Sequence, residues 1–290
     1  MSAALQTEGL GRRYGRIWGL RECSIELPDS TVTALIGPNG AGKSTLLHLV
    51  IGLIKPSTGT ARFMAATPAT TRAGLAQIGF VAQDHPLYRR FTVADLLRMG
   101  RALNPSWDQA LAVRRIRDLS IPLNRRAGAL SGGQQAQVAL TLALAKRPRL
   151  LVLDEPVASL DPIARQDFMT ALTSAVTAEG VTVLLSSHVV AELERVCDRL
   201  VLLHDGRVRL AGSIREVLRA HRALEPDPES RVASTESPPG ASARGVVVVA
   251  AAAAGCLPGY TSRPVSFEQV VLAYLARAAE PADAAGGLAS

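Results

Sequence analysis

The stretch TVTALIGPNGAGKST, residues 31–45, constrains the fold more than any other part of the chain. TVTALIG places apolar Val32, Ala34, Leu35 and Ile36 on successive positions of both faces, and reads as a buried strand. It feeds a glycine-rich loop that opens directly into STLLHLVIGL, an apolar helix. Gly37, Gly42, Lys43 and Ser44 fit G-x-x-x-x-G-K-[ST], with Pro38, Asn39, Gly40, Ala41 and Thr45 completing the loop and its exit. Glycines let backbone N–H groups converge on phosphate oxygens, and the helix N-terminus adds partial positive charge. Lys43 brings a point charge to the β and γ oxygens, and the Ser44 hydroxyl can ligate Mg²⁺. A strand, loop and helix of this kind belongs in an α/β fold.

LLVLDEP, residues 150–156, supplies a second buried strand. Asp154 at its end can hold Mg²⁺ through water, and Glu155 can orient and polarise a water that attacks the γ-phosphate. Between these segments stands LSGGQ, residues 130–134. Ser131, Gly132, Gly133 and Gln134 open another helix, so the chain carries a second phosphate-cradling segment far from its first.

P-loop, LSGGQ and LDEP in that order resemble the nucleotide-binding domain of ABC-type ATPases. The resemblance implies a P-loop NTPase with a RecA-like core, an antiparallel β subdomain and a helical signature-motif subdomain. It also explains the duplication: in that family, LSGGQ completes the ATP site of a second subunit, and two ATP are held in a head-to-tail dimer. It further implies that Tyr14 stacks on adenine and that Gln83 senses Mg²⁺ and the γ-phosphate. Ser159, Leu160 and Asp161 match the loop that crosses the dimer interface, and His188 matches a histidine contacting the γ-phosphate. The family often follows LSGGQ with a basic residue, whereas here Gln135 and Gln137 flank Ala136.

The same resemblance implies a separate transmembrane permease subunit, docked beside the segment after Gln83, where Leu87, Tyr88 and Phe91 stand in a polar loop. NPSWD…LSGGQ…LDEP and the end SFEQVVLAYL are similar to bacterial exporter subunits. The expected location is the cytoplasm, peripheral on the inner face of the membrane. A second nucleotide-binding subunit, either another copy or a different chain, is the other expected partner. The alternative is a soluble mechanoenzyme working on the ribosome or nucleic acid. Such proteins usually carry two cassettes or long coiled coils, and neither pattern occurs.

Composition agrees with this reading. The net charge is +7, yet the only lysines are Lys43, Lys55 and Lys146, and no basic cluster is interleaved with aromatics. No nucleic-acid partner is expected. MSAALQTEGL lacks the basic start and apolar run of a signal peptide. VVVVAAAAAGCL, residues 246–257, is too short to span a bilayer. Cys23, Cys197 and Cys256 share no metal spacing and read as packing residues.

The expected organisation is a nucleotide-binding domain at 1–221, with its helical subdomain at about 84–147. A Pro/Ser/Glu-rich linker at 222–245 follows, then a small extension at 246–278 and a disordered tail at 279–290. Thr92 is expected to cap VADLLRMGRAL, Ser106 with Gln109 to cap the next helix, and Ser266 with Gln269 the last one.

Overall fold

The computed structural model describes residues 3–64, 71–158, 160–187, 190–226, 247–250 and 260–279. The chain begins with a long hairpin of β1 (Ala3–Tyr14) and β2 (Ile17–Pro28). From Cys23 to Leu27, β2 alternates buried and exposed residues, as a strand with one wet face must. β3 (Val32–Ile36) is buried at every position and leads through the glycine loop into α1 (Lys43–Val50). β4 (Thr58–Phe63) then returns to pair with β1, giving an antiparallel sheet in the order β2-β1-β4.

α2 (Arg72–Ala76), β5 (Ile78–Val81), α3 (Val93–Leu103), α4 (Gln109–Asp118) and α5 (Gly132–Ala145) follow. The core is completed by β6 (Leu150–Asp154), α6 (Pro162–Glu179), β7 (Thr182–Ser186) and α7 (Val190–Val196). β8 (Arg199–His204), β9 (Arg207–Ser213) and α8 (Ile214–Ala220) close it. These strands form one six-stranded sheet, β5-β6-β7-β3-β8-β9, parallel except for the final hairpin.

Apolar residues on both strand faces explain why this sheet is buried on both sides. Val32, Ala34 and Ile36 pack into one cluster, while Leu35 between them packs into the other. Leu151 and Leu153 separate from Leu150 and Val152 in the same way. α1 and the antiparallel sheet cover one face; α3, α5 and α6 cover the other. This is the expected RecA-like core with its β subdomain and a helical subdomain around α3, α4 and α5.

Thr92 caps α3 in a reciprocal box with Asp95, as expected. The cap of α4 is different. Asp108, rather than Ser106, is the N-cap, and its carboxylate accepts from Leu111 N at 2.8 Å. Gln109 cannot serve in a Ser106 box because its Oε1 accepts from Trp107 Nε1 at 2.7 Å.

The boundary at 222 also needs correction. β10 (His221–Pro226) runs through it and lies between β11 (Val247–Ala250) and β12 (Tyr260–Pro264) in a second antiparallel sheet. Ala223 and Leu224 are fully buried there, an outcome of long-range pairing that the neighbouring Pro/Glu-rich composition hides. α9 (Phe267–Ala279) opens with the expected box, Gln269 N donating to Ser266 Oγ at 3.2 Å. Phe267, Val270 and Val271 share a core cluster with Leu200 and Leu202 of β8, so the extension packs onto the nucleotide domain. Residues 227–246, most of the expected linker, lie outside the described residues, as do Cys256 and 280–290. Burial pushes the Cys23 thiol up to about 11 and the Cys197 thiol to about 12, far from the reactive thiolate range.

Candidate active site

Parallel strands deliver their C-terminal ends to one edge of a sheet, and loops there gather ligand-binding groups. Here that edge receives the glycine loop from β3, Gln83 just after β5, Asp154 and Glu155 from β6, and Ser186 from β7. A cavity of about 410 Å³ opens among them, lined by Asn39 through Thr45 together with Gly19, Gln83 and Glu155.

The loop is braced from behind. Gly42 has φ +100, and a Cβ there would lie 2.4 Å from the Gly19 carbonyl oxygen, so no other residue fits. Gly42 is also the N-cap of α1, and no side chain caps it. The helix therefore presents its first N–H groups to the cavity. The Asp205–Gly206 turn of the β8–β9 hairpin supports the loop, with Gly206 N donating to Ala41 O at 3.1 Å.

Lys43 is 6% exposed. Its Nζ donates to Gly37 O at 2.8 Å and Pro38 O at 3.2 Å, and stands 3.5 Å from Glu155 Oε1. Glu155 adopts φ +44, a left-handed conformation that an ordinary residue holds only when its surroundings impose it. Ser186 does much of the imposing: its Oγ accepts from Glu155 N and donates to Asp154 Oδ1, each at 2.8 Å. Nothing in the local sequence marks Ser186 for this role, although it stands two residues before His188.

Ser44 is exposed at the cavity and Gln83 lines it, while Asp154 is buried at the strand end behind them. Among the described residues no group of three or more acidic, histidine or cysteine side chains could hold a metal. A hydroxyl, an amide oxygen and one carboxylate nevertheless suit Mg²⁺, which keeps several waters and shares phosphate oxygens rather than using an all-protein cage. These three residues would hold it.

Tyr14 ends β1 at 48% exposure. Its ring edge faces the Cα of Gly19, a residue of the cavity wall, and the Arg12 guanidinium lies 5.2 Å from the ring centroid.

LSGGQ is not brought to this cavity. Ser131 caps α5 in a reciprocal box with Gln134, whose side chain is thereby committed. Ser131 and Gly132 are exposed. A Cβ on Gly132 would meet nothing within 4 Å, whereas one on Gly133 would lie 2.7 Å from the Ala164 Cβ. Gly133 is thus required by packing, but no contact among the described residues requires Gly132. Asp161 caps α6, accepting from Ile163 N and Ala164 N at 3.0 Å. Gln135 caps back onto Leu130 O, and Gln137 is buried without a hydrogen bond to either amide atom among the described residues. Ser159 and His188 lie outside the described residues.

One residue that the sequence did not single out is His85. It is buried, has φ +43, and its Nε2 lies 2.9 Å from Pro156 O. Burial lowers its basicity below the ordinary histidine range, outweighing the Pro156 bond and the nearby Asp84 charge.

A glycine loop at a helix N-terminus, a lysine on the loop and a carboxylate pair at a neighbouring strand end define a P-loop nucleotide hydrolase. The family profile described as ABC transporter matches residues 20–158. The lipopolysaccharide export system ATP-binding protein LptB of Acidithiobacillus ferridurans is 33% identical over 227 residues, spanning 75% of this chain and 93% of that protein. The phosphonates import ATP-binding protein PhnC 2 of Rhodopseudomonas palustris is 34% identical over 226 residues, spanning 73% and 80% respectively. A solved ATP-binding subunit of an ABC transporter superposes with a TM-score of 0.68 at 29% identity, covering 74% of this chain and 92% of that one. The chain belongs to the ABC transporter family, as an ATP-binding subunit and an ATPase coupled to transport.

Proposed function

We propose that the chain hydrolyses ATP in a head-to-tail pair of nucleotide-binding subunits and drives a separate membrane permease from the cytoplasmic face. The observation that carries this reading is the division of phosphate-binding groups. The P-loop cavity faces Gln83 and Glu155, while Ser131 and the sterically open Gly132 face outward. A helix N-terminus with open space before it suits a phosphate supplied by another chain.

In the proposed reaction, Lys43 and the loop amides hold the β and γ phosphates, and Tyr14 stacks on adenine. Glu155 accepts a hydrogen bond from the attacking water, whose oxygen bonds to the γ-phosphorus as the bridging P–O bond breaks and ADP leaves. Ser186 fixes Glu155 through its backbone N–H. Gln83 and His188 orient the γ-phosphate end, and Ser131, Gly132, Gly133 and Asp161 act on the nucleotide of the second subunit. Mg²⁺ held by Ser44, Gln83 and Asp154 would neutralise phosphate charge as it develops.

Permease docking is supported by a groove of about 640 Å³ between the sheet edge and the helical subdomain. Leu53, Leu75 and Leu87 line it, and Leu53 is 64% exposed. Tyr88 and Phe91 stand exposed nearby with their rings 5.2 Å apart. Exposed apolar groups beside a groove suit an amphipathic helix of a partner. Among the described residues no helix is long and apolar enough to cross a membrane.

An export relative and an import relative match almost equally, so the motor alone does not set direction. The export reading rests on the NPSWD and SFEQVVLAYL regions. Its test is to express Glu155→Gln in the native host, trap it with ATP, and identify its companions. Recovery with a membrane-spanning protein is expected, and that protein's sequence decides direction. Recovery only from the soluble fraction, with ribosomes or nucleic acid, would overturn the reading.

A further inference from the structure

We infer that His85 is a positioning residue for Glu155, acting through the carbonyl of Pro156. The inference rests on the reading of Glu155 as the carboxylate that handles the attacking water.

Pro156 follows Glu155 directly and has no N–H, so its carbonyl is the only backbone group through which a hydrogen bond can hold it. His85 Nε2, 2.9 Å away across 71 residues of chain, is the partner of that carbonyl. The remaining bonds of the turn come from elsewhere. Ser186 Oγ accepts from Glu155 N, and Ala158 N donates back to Glu155 O at 3.2 Å. Glu155 is therefore gripped on its N-terminal side by Ser186 and on its C-terminal side by His85 through Pro156. A left-handed, strained turn persists only when its surroundings over-determine it.

His85 is itself held in an unusual conformation that presents its ring to Pro156. Its φ is +43, its N–H donates to Ala82 O at 3.0 Å, and its carbonyl accepts from Leu87 N at 2.7 Å. The left-handed His85 is thus bonded to the carbonyl of the residue that directly follows the left-handed Glu155. The same histidine lines the apolar groove with Leu87, so it belongs both to the groove wall and to the brace of the turn bearing Glu155.

The test compares His85→Gln, which can present an N–H at the Nε2 position, with His85→Leu, which fills space and cannot donate. Both face the same backbone strain, and a melting curve checks folding of each. In the full chain, His85→Leu is expected to lower kcat about 10- to 100-fold with KM for ATP unchanged, as for a misplaced catalytic group. His85→Gln should recover most of that loss. Equal kcat for the two variants, or a loss confined to KM, would overturn the proposal. Glu155→Gln measured alongside separates the readings: turnover by that variant removes the role of Glu155, whereas a dead Glu155→Gln beside a fully active His85→Leu removes only the role of His85. Nitrogen-15 NMR of the unsubstituted chain needs no variant. A proton on Nε2 of His85 is expected, and a bare Nε2 would contradict the bond.

Discussion

Lys43 Nζ stands 3.5 Å from Glu155 Oε1, with the two side chains only 6% and 12% exposed. The cation that would bind the γ-phosphate and the carboxylate that would activate water therefore neutralise each other across the cavity. A phosphate entering between them competes with Glu155 for the lysine.

Removing either charge should act in opposite directions on binding. Glu155→Gln leaves every phosphate-binding group and deletes the competing anion, so ATP affinity is kept or raised while turnover falls about 100-fold or more. Lys43→Ala removes a charge-assisted contact, and affinity itself should drop about tenfold or more. Calorimetric titration with ATP and steady-state turnover check both. Full turnover by Glu155→Gln would remove its catalytic assignment.

The two signature glycines should separate fold from assembly. Gly133→Ala drives a Cβ to within 2.7 Å of the Ala164 Cβ and should lower the melting temperature. Gly132→Ala meets nothing among the described residues and should melt like the parent, yet hydrolysis should fall because a second subunit's nucleotide must approach there. Normal hydrolysis by a stable Gly132→Ala would contradict the role in trans.

Acid sensitivity of the helical subdomain should track Asp95. The Thr92 hydroxyl and N–H, followed by Arg98, hold its carboxyl down from 3.8 to about 2. A depressed folded-state value stabilises above the ordinary one, and that contribution is lost as pH falls from 3.8 towards about 2. The melting difference between the parent and Asp95→Asn should accordingly be largest near neutral pH and shrink across that window. A difference independent of pH would contradict the cap.

The C-terminal extension should be part of the cooperative unit. Phe267 is fully buried in the cluster that contains Leu200 and Leu202. Phe267→Ala should cost about 3–5 kcal/mol and lower a single thermal transition of the whole domain. A separate low-temperature transition, with the ATPase domain unmoved, would show the extension to be independent.

What could be read from residues alone follows the range of the interactions. β3 with its loop, the Thr92 cap and the Ser266 cap are local patterns, and the structure contains each of them. Asp108 is not legible as the cap from local pattern, since Gln109 bonds to Trp107 and Arg147 pairs with Asp108 from 39 residues away. The β10 segment reads as linker in sequence because long-range pairing with β11 and β12 is what buries Ala223 and Leu224. His85 carries no local signal at all, since its partner carbonyl belongs to a different strand end.

Completion of each nucleotide site by a second chain underlies the whole proposed reaction. Glu155→Gln, isolated with ATP from the membranes of its own host, is the material on which native mass spectrometry tests it most directly. Complexes containing two nucleotide-binding subunits, identical or different, and two bound ATP are expected. ATP retained by complexes holding a single nucleotide-binding subunit would contradict it.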